Sequence, residues 1–155
     1  MTPRTIVEPI LRDVPRVHHD DPIETAVKAM LASDLPAVPV VDADGGLTGV
    51  FGEREFMSAL FPGYFGTLRS ASFVRRALDE SLEKRAGCVR EPVSAHMFTE
   101  HVGVESDASD SQIAETFLHH EVLVLPVCEG RRVVGVITRR DFFRRLAEWV
   151  LYAER

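Results

Sequence analysis

The hydrophobic and polar positions of this chain form one pattern that occurs twice. Two short apolar runs, at residues 38–41 and 47–51, flank a polar turn that contains two glycines. Further along, apolar runs at residues 122–128 and 133–137 flank a second turn that contains Gly130. Short runs rich in valine on either side of a Gly-containing turn are typical of β-hairpins. We therefore expect two hairpins of similar construction.

A helix is predicted before each hairpin. Before the first, apolar residues recur at the spacing of one helical face, at Ile23, Ala26, Val27, Met30 and Leu31. Before the second, the corresponding face consists of Ile113, Ala114, Phe117 and Leu118. We expect Asp21 to cap the first helix with Pro22 at its first position, and Asp107 to cap the second. After each hairpin a further helix is expected, one over residues 53–60 and one that includes Phe142.

The repetition indicates an internal duplication. Pro39 corresponds to Pro126, 87 residues later, and Glu55 corresponds to Asp141, 86 residues later. Because a solenoid needs at least three stacked units, two copies favour a pair of repeats around a pseudo-twofold axis. The predicted fold class is α/β (α+β), with two tandem β-α-β-β-α repeats and a helical insert between them.

We expect three parts along the chain. Residues 1–60 form the first repeat with its lead-in, residues 61–92 an insert, and residues 93–155 the second repeat with a C-terminal helix. Apolar residues of the insert recur at helical spacing, at Phe73, Val74, Ala77, Leu78 and Leu82, which predicts an amphipathic helix or helix pair. This element is interpreted either as packing over the sheet or a dimer contact, or as a dedicated docking element for a partner.

Composition narrows the class of protein. The 155 residues carry a net charge of -6, which argues against general nucleic-acid binding, because duplex binding relies on Lys and Arg. No apolar run approaches the roughly 20 residues that span a bilayer. The first 13 residues lack the apolar core of a signal peptide, so we expect no membrane association and a cytoplasmic location. Cys88 and Cys128 belong to no paired motif, which favours buried reduced thiols.

Catalytic and metal-binding motifs are absent from the sequence. It contains no Gly-x-Ser-x-Gly, P-loop, His-Glu-x-x-His or paired-cysteine pattern, so we expect no enzymatic activity. Neighbouring histidines, at residues 18–19 and 119–120, point in different directions in a helix or strand and make poor metal sites. A metal site that includes His96 and His101, or a redox response of Cys128, is a less favoured alternative.

Three segments together resemble a known family. Residues 38–42 read Val-Pro-Val-Val-Asp, residues 135–141 read Gly-Val-Ile-Thr-Arg-Arg-Asp, and residues 93–99 are similar to the lead-in of a repeat. With the repeated element order, they resemble the cystathionine-β-synthase (CBS) domain, and two in tandem resemble a CBS pair, or Bateman module. The resemblance covers residues 13–60 and 93–146 and leaves the insert outside.

The resemblance implies a ligand-sensing module that binds an adenosine derivative, namely AMP, ADP, ATP or S-adenosylmethionine, in a cleft between the repeats, with no cofactor required. A carboxylate can accept two hydrogen bonds from ribose hydroxyls, which is the role implied for Asp141. Phosphate is assigned to Thr138 with Arg139 or Arg140, at the start of a helix. Thr138 and Asp141 could instead cap and stabilise that helix without any ligand.

By the same resemblance, the adenine lies between a strand and a lead-in segment. The strand side is formed by Leu123, Val124 and Pro126, and the lead-in side by Asp13, Val14 and Pro15.

The first repeat departs from the family pattern. Gly52 stands where Thr138 stands in the second repeat, and Glu55 where Asp141 stands, so we expect its site to be weak or lost. Neither repeat carries a His or Arg directly before its Pro-Val strand, where Pro36 and Ala37 or Leu123 and Val124 stand instead. Little charge is therefore expected for a triphosphate, which favours a monophosphate or a nucleoside-like ligand.

Two functions of different class follow. The first is a regulatory module that forms a homodimer, binds the ligand and transmits a shape change to an unidentified protein partner. The second is a structural homodimerisation module with a vestigial ligand site. The candidate dimer contacts are the aromatic residues of the last helix, Phe142, Phe143, Trp149 and Tyr152.

Overall fold

The computed structural model describes residues 8–61, 79–80 and 82–153, which contain two three-stranded sheets. The first sheet has the order β1-β2-β3 and the second β4-β5-β6. In each, the first strand pairs in parallel with the second, and the second pairs antiparallel with the third. The strands are β1 Val17–His18, β2 Ala37–Val41, β3 Leu47–Gly52, β4 Val104–Glu105, β5 Val124–Glu129 and β6 Arg132–Thr138. Both predicted hairpins and the predicted fold class are confirmed.

Four α-helices with defined ends accompany these strands. They are α1 Ile23–Ser33, α2 Glu53–Leu60, α3 Asp110–His119 and α4 Arg139–Tyr152. Asp34 is the C-cap of helix α1 and has a φ of 53°, a left-handed conformation that Asp tolerates better than most residues. The chain can thereby turn sharply from α1 into the loop before β2.

Two predicted helix caps are wrong. Pro22 is the N-cap of α1, and the Asp21 carboxylate instead accepts a hydrogen bond from the His18 backbone N–H at 2.9 Å. The N-cap of α3 is Ser109 and not Asp107. The Ser109 hydroxyl accepts a hydrogen bond from the Gln112 N–H at 3.2 Å, and the Gln112 side chain accepts one from the Ser109 N–H at 2.8 Å. This reciprocal pair is a capping box, which satisfies two backbone donors that the helix leaves unpaired.

The segments that precede β1 and β4, called here the lead-ins, are exchanged between the repeats. Arg12 precedes the first repeat, yet it pairs with Val136 of β6 in the second, with N–O distances of 2.8 and 2.9 Å. Phe98 precedes the second repeat and pairs in the same way with Val50 of β3, at 2.8 and 3.0 Å. Each repeat therefore completes its sheet with a residue that belongs, in sequence, to the other.

A glycine beside each bridge permits this close approach. A Cβ atom on Gly135 would lie 2.7 Å from the Arg12 carbonyl oxygen, and one on Gly49 would lie 2.9 Å from that of Phe98. Real Cβ atoms do not approach an oxygen so closely, so any other residue would push the lead-in away from the strand.

The hydrophobic cores follow the same exchange. The core of the second repeat is built on Ile113, Leu125, Val127, Ile137 and Phe142, and Ile10 and Leu11 from the first lead-in pack against it. The core of the first repeat takes Met97 from the second lead-in, together with Val124 and Val136 from the second sheet. Because burial of apolar side chains is the main favourable term in folding, neither repeat completes its core alone.

Within the insert, the structure describes residues 61, 79–80 and 82–92. The predicted apolar positions from residue 73 to 78 lie outside the described residues, whereas residues 79–80 and 82–85 are helical. Arg85 is the last residue of this stretch, and its guanidinium donates to the Ala59 carbonyl at 3.2 Å and to the Glu91 carboxylate at 3.1 Å. The contact with Ala59 attaches the end of the insert to α2.

Two further predictions concern the described ranges. Cys88 and Cys128 are buried and unpaired, as expected for reduced thiols. Within those ranges, no helix has the length and apolar character that crossing a bilayer requires. The cytoplasmic location and the division into residues 1–60, 61–92 and 93–155 stay predictions.

The exchanged lead-in makes Gly135 sensitive to substitution. We expect Gly135→Ala to lower the free energy of unfolding by about 1–3 kcal/mol, since its Cβ would displace the Arg12 backbone. Gly87→Ala is the matched control, because its Cβ would meet nothing closer than the Arg90 guanidinium at 3.8 Å. Urea denaturation measures both, and equal losses for the two variants would contradict the role given to Gly135.

Candidate functional site

Two clefts lie at equivalent positions of the two repeats. The first, named here the Thr138 cleft, has a volume of about 1000 Å³ and lies beside the start of α4. The second, named the Gly52 cleft, has a volume of about 790 Å³ and lies beside the start of α2. Pro36 and Leu123 line both clefts, so the loops before β2 and β5 separate them.

Backbone hydrogen bonds fix the start of each helix against these loops. The Arg139 N–H donates to the Leu123 carbonyl at 2.9 Å, and the Glu53 N–H donates to the Pro36 carbonyl at 3.0 Å. The equivalence of the two bonds shows that the duplication extends to the geometry of the clefts.

Thr138 acts as the N-cap of α4. Its side chain is 6% exposed, and its hydroxyl accepts a hydrogen bond from the Asp141 N–H at 3.0 Å. The capping role considered for this residue is therefore present. Because a hydroxyl that accepts one hydrogen bond can still donate another, the Thr138 hydroxyl keeps a donor for a further contact.

Asp141 is paired with a residue that the sequence analysis missed. Its Oδ2 accepts a hydrogen bond from Arg12 Nε at 2.8 Å, and the side chains of Asp141 and Arg12 are 18% and 41% exposed. The hydrogen bond from Arg12 lowers the pKa of the Asp141 carboxyl, and burial opposes this effect. The same contact raises the pKa of the Arg12 guanidinium. Asp141 is thus a carboxylate at neutral pH, already facing a cation.

The Thr138 cleft brings together half of the predicted site residues. Its lining contains Leu123, Thr138, Arg139, Arg140 and Asp141.

The other predicted residues lie elsewhere. Val124 lines the Gly52 cleft, and Pro126 is buried in β5. Val14 is buried in the first core, Pro15 is exposed, and Asp13 forms an exposed ion pair with Arg16 at 3.0 Å. The lead-in residue that does line the Thr138 cleft is Arg12, one position before the predicted segment. A ligand contact for any of these residues stays a prediction.

Gly52 and Glu55, the first-repeat equivalents of Thr138 and Asp141, make different contacts. The Glu55 carboxylate accepts a hydrogen bond from the Gly52 N–H at 2.9 Å and thereby caps α2. This side chain folds back onto its own helix, whereas Asp141 reaches across to the lead-in. Gly52 offers no hydroxyl at the position that Thr138 occupies in the second repeat.

The two clefts differ in charge. The Thr138 cleft is lined by four arginines and two aspartates, namely Arg12, Arg139, Arg140, Arg144, Asp34 and Asp141. The Gly52 cleft is lined by four glutamates and one arginine, namely Glu53, Glu55, Glu100, Glu121 and Arg54. An anionic ligand is therefore attracted to the first and repelled by the second, because clefts focus the field of the charges that line them.

The histidines do not converge on a metal site. His96 Nε2 lies 2.7 Å from the Glu91 carboxylate, and His101 lines the Gly52 cleft. Among the described residues, no group of three or more His, Cys, Asp or Glu side chains is arranged to hold an ion.

One curated protein matches most of this chain but is itself much longer. The chain is 23% identical over 137 residues to an uncharacterised protein of Methanocaldococcus jannaschii. The match covers 88% of this chain but 30% of that protein, so the chain spans less than a third of the curated relative's length.

Solved structures match over nearly the whole chain. The CBS domain of a CBS-domain-containing membrane protein from Sphaerobacter thermophilus is 27% identical, with a TM-score of 0.68 over 90% of this chain and 86% of that chain. The structure of CBSX2 in complex with AMP is 17% identical, with a TM-score of 0.66 over 94% and 98% of the two chains. The second likeness concerns the fold alone.

The family model for the CBS domain matches the chain twice, at residues 7–62 and 93–148. These two stretches contain the two sheets and make up more than half of the sequence. Proteins of this family are generally regulatory. The chain therefore belongs to the CBS-domain family and carries two CBS domains in tandem.

Proposed function

We propose that this chain is a regulatory module that binds an adenosine derivative in the Thr138 cleft and transmits a shape change to a protein partner. The family is a regulatory one, and CBSX2, which shares the fold, was solved in complex with AMP. AMP, ADP, ATP and S-adenosylmethionine are the candidate ligands, and AMP is the one that the local charges favour for the first experiment.

The observation that carries the proposal is an ionised carboxylate in a cleft lined by arginines. Asp141 offers acceptor oxygens to the hydroxyls of a ribose, and its lowered pKa keeps it charged. Arg139, Arg140 and Arg144 line the same cleft and can bind phosphate oxygens through paired N–H groups. The apolar side chains of Phe117 and Leu123 provide surfaces for a base.

The position of the cleft supports a regulatory role. Its lining combines α4 of the second repeat with Asp34 and Pro36 of the first, and with Arg12 of the exchanged lead-in. A ligand there contacts both repeats, so its affinity depends on their relative position. The resulting change in shape is limited by the difference in the ligand's affinity for the two arrangements.

A structural dimerisation module is the second candidate, and the surface of α4 favours it. Large apolar side chains along this helix are exposed, with Phe143 at 68%, Trp149 at 66%, Leu151 at 68% and Tyr152 at 78%. Phe143, Leu146 and Trp149 follow one another at a spacing of three residues, with the exposed Val150 on the same side of the helix, so these four side chains adjoin. Adjoining exposed apolar surface is typical of an interaction site. Of the aromatic residues predicted for the dimer, Phe142 does not contribute, because it is 4% exposed and packs against Phe117 in the core.

The ligand proposal is tested by removing the Asp141 charge. We expect AMP at about 100 times its dissociation constant to raise the unfolding midpoint by roughly 5–10 °C in the wild type. Asp141→Asn should weaken AMP binding by at least about tenfold, since a charged hydrogen-bond acceptor is lost. Thermal unfolding and isothermal titration calorimetry measure the two effects.

Glu55→Gln is the matched control, because it makes the same change at the equivalent position of the Gly52 cleft. We expect it to leave AMP affinity within about twofold of the wild type, since that cleft repels anions. Absence of AMP binding to the wild type, or equal losses in both variants, would refute binding in the Thr138 cleft.

Dimerisation is tested separately from ligand binding. We expect sedimentation at micromolar concentration to give twice the 17.3 kDa mass of the chain. Trp149→Glu should shift the protein towards the monomer, because it places a charge within the exposed apolar face of α4. A wild type that sediments only at 17.3 kDa would exclude the homodimer.

A further inference from the structure

Arg12 forms an ion pair with Asp141, the residue that is proposed to bind the ribose. Its Nε donates to Asp141 Oδ2 at 2.8 Å, although the two residues are 129 positions apart in the sequence. Both side chains line the Thr138 cleft. A ribose whose two hydroxyls bind both carboxylate oxygens of Asp141 therefore meets an internal cation at Oδ2.

The backbone keeps Arg12 in this place. Its N–H and carbonyl both bond to Val136, at 2.8 and 2.9 Å, and Val136 is fully buried. The strand beneath carries Gly135, whose missing side chain lets the lead-in lie directly against it. The Arg12 side chain can change its partner, but its Cα stays beside the start of α4.

We infer that Arg12 selects the ligand, so that the Thr138 cleft discriminates against neutral nucleosides and accepts nucleosides that carry a phosphate. The inference rests on the proposed function. Neutral ribose hydroxyls that bind Asp141 Oδ2 weaken the ion pair and leave the guanidinium without a hydrogen-bonded anion, which lowers their affinity by up to about fivefold, since the pair is only partly buried. A phosphate offers Arg12 a new anionic partner and removes that cost.

The other charges of the cleft do not replace this partner. Asp34 lines the cleft and acts on Arg12 through space, but the described contacts contain no hydrogen bond between them. Arg139, Arg140 and Arg144 are cations and cannot compensate a freed guanidinium. Arg12 therefore adds to the attraction of this cleft for a phosphate, beside the three arginines of α4.

The Gly52 cleft lacks the same device. The residue that pairs with β3 in the position of Arg12 is Phe98, which has no charge. The Glu55 carboxylate is used at the start of its own helix. Selection by an internal ion pair is therefore a property of the second repeat, although the backbone of both repeats is built alike.

The test measures AMP and adenosine binding to the full chain by isothermal titration calorimetry. We expect the wild type to prefer AMP. Arg12→Gln should weaken AMP binding by about tenfold, the size expected of one charge-assisted hydrogen bond. It should at the same time strengthen adenosine binding by about fivefold, since a partly exposed ion pair no longer competes.

Arg16→Gln is the matched control. It removes the same charge from the same lead-in, but Arg16 pairs with the exposed Asp13 and is outside the lining of the cleft. We expect its ratio of AMP to adenosine affinity to equal that of the wild type. Arg12→Lys, which keeps the charge, should retain the preference for AMP and serves as the second variant if Arg12→Gln does not unfold cooperatively.

The outcomes separate the inference from the proposed function. If the wild type binds AMP in a manner that needs Asp141 but Arg12→Gln leaves the ratio unchanged, the inference alone fails. If Arg12→Gln weakens adenosine as much as AMP, Arg12 only orients Asp141 and selection is refuted. If the wild type binds neither compound, both proposals fail.

Discussion

The backbone bridges between Arg12 and Val136 and between Phe98 and Val50 hold the two repeats in one structure. Each bridge attaches a lead-in to the last strand of the opposite repeat, and each depends on a neighbouring glycine, Gly135 or Gly49, that leaves room for the second backbone. The bridges also bring apolar side chains of one lead-in into the core of the other repeat. The clefts follow from this exchange, since Arg12 reaches the start of α4 only because its backbone is fixed on β6.

The duplication has conserved the backbone of the clefts and changed their chemistry. The hydrogen bonds from Glu53 to Pro36 and from Arg139 to Leu123 are equivalent, as are the two bridges. The side chains at equivalent points differ in polarity and charge, and as a result arginines outnumber acidic residues in one cleft and glutamates outnumber arginine in the other. Two clefts with equivalent backbones thus carry linings of opposite net charge.

Local patterns predicted most of the fold, and long-range contacts account for what they missed. Hairpins and helices follow from the spacing of apolar residues, which is a property of neighbours in sequence. The prediction that Asp21 caps α1 was wrong, because this carboxylate accepts a hydrogen bond from the His18 N–H instead. The spacing of apolar residues does not show which of several nearby donors a carboxylate binds. Thr138 and Asp141 were found because one motif contains both. Arg12 was missed because its partner lies 129 residues away and becomes a neighbour only through the exchanged lead-in.

The same contacts serve the fold and the proposed site, and their modest strength is what allows both roles. The ion pair between Arg12 and Asp141 is partly exposed, and pairs of this kind contribute about 0–1 kcal/mol to stability. Exchange of the Arg12 partner from a carboxylate to a phosphate therefore costs little, and the backbone bridge beneath it stays intact. A ligand of ordinary affinity has enough free energy to rearrange these side chains without unfolding the lead-in. The lead-in also connects the second repeat's cleft to the chain of the first, which places Arg12 at the junction between the repeats.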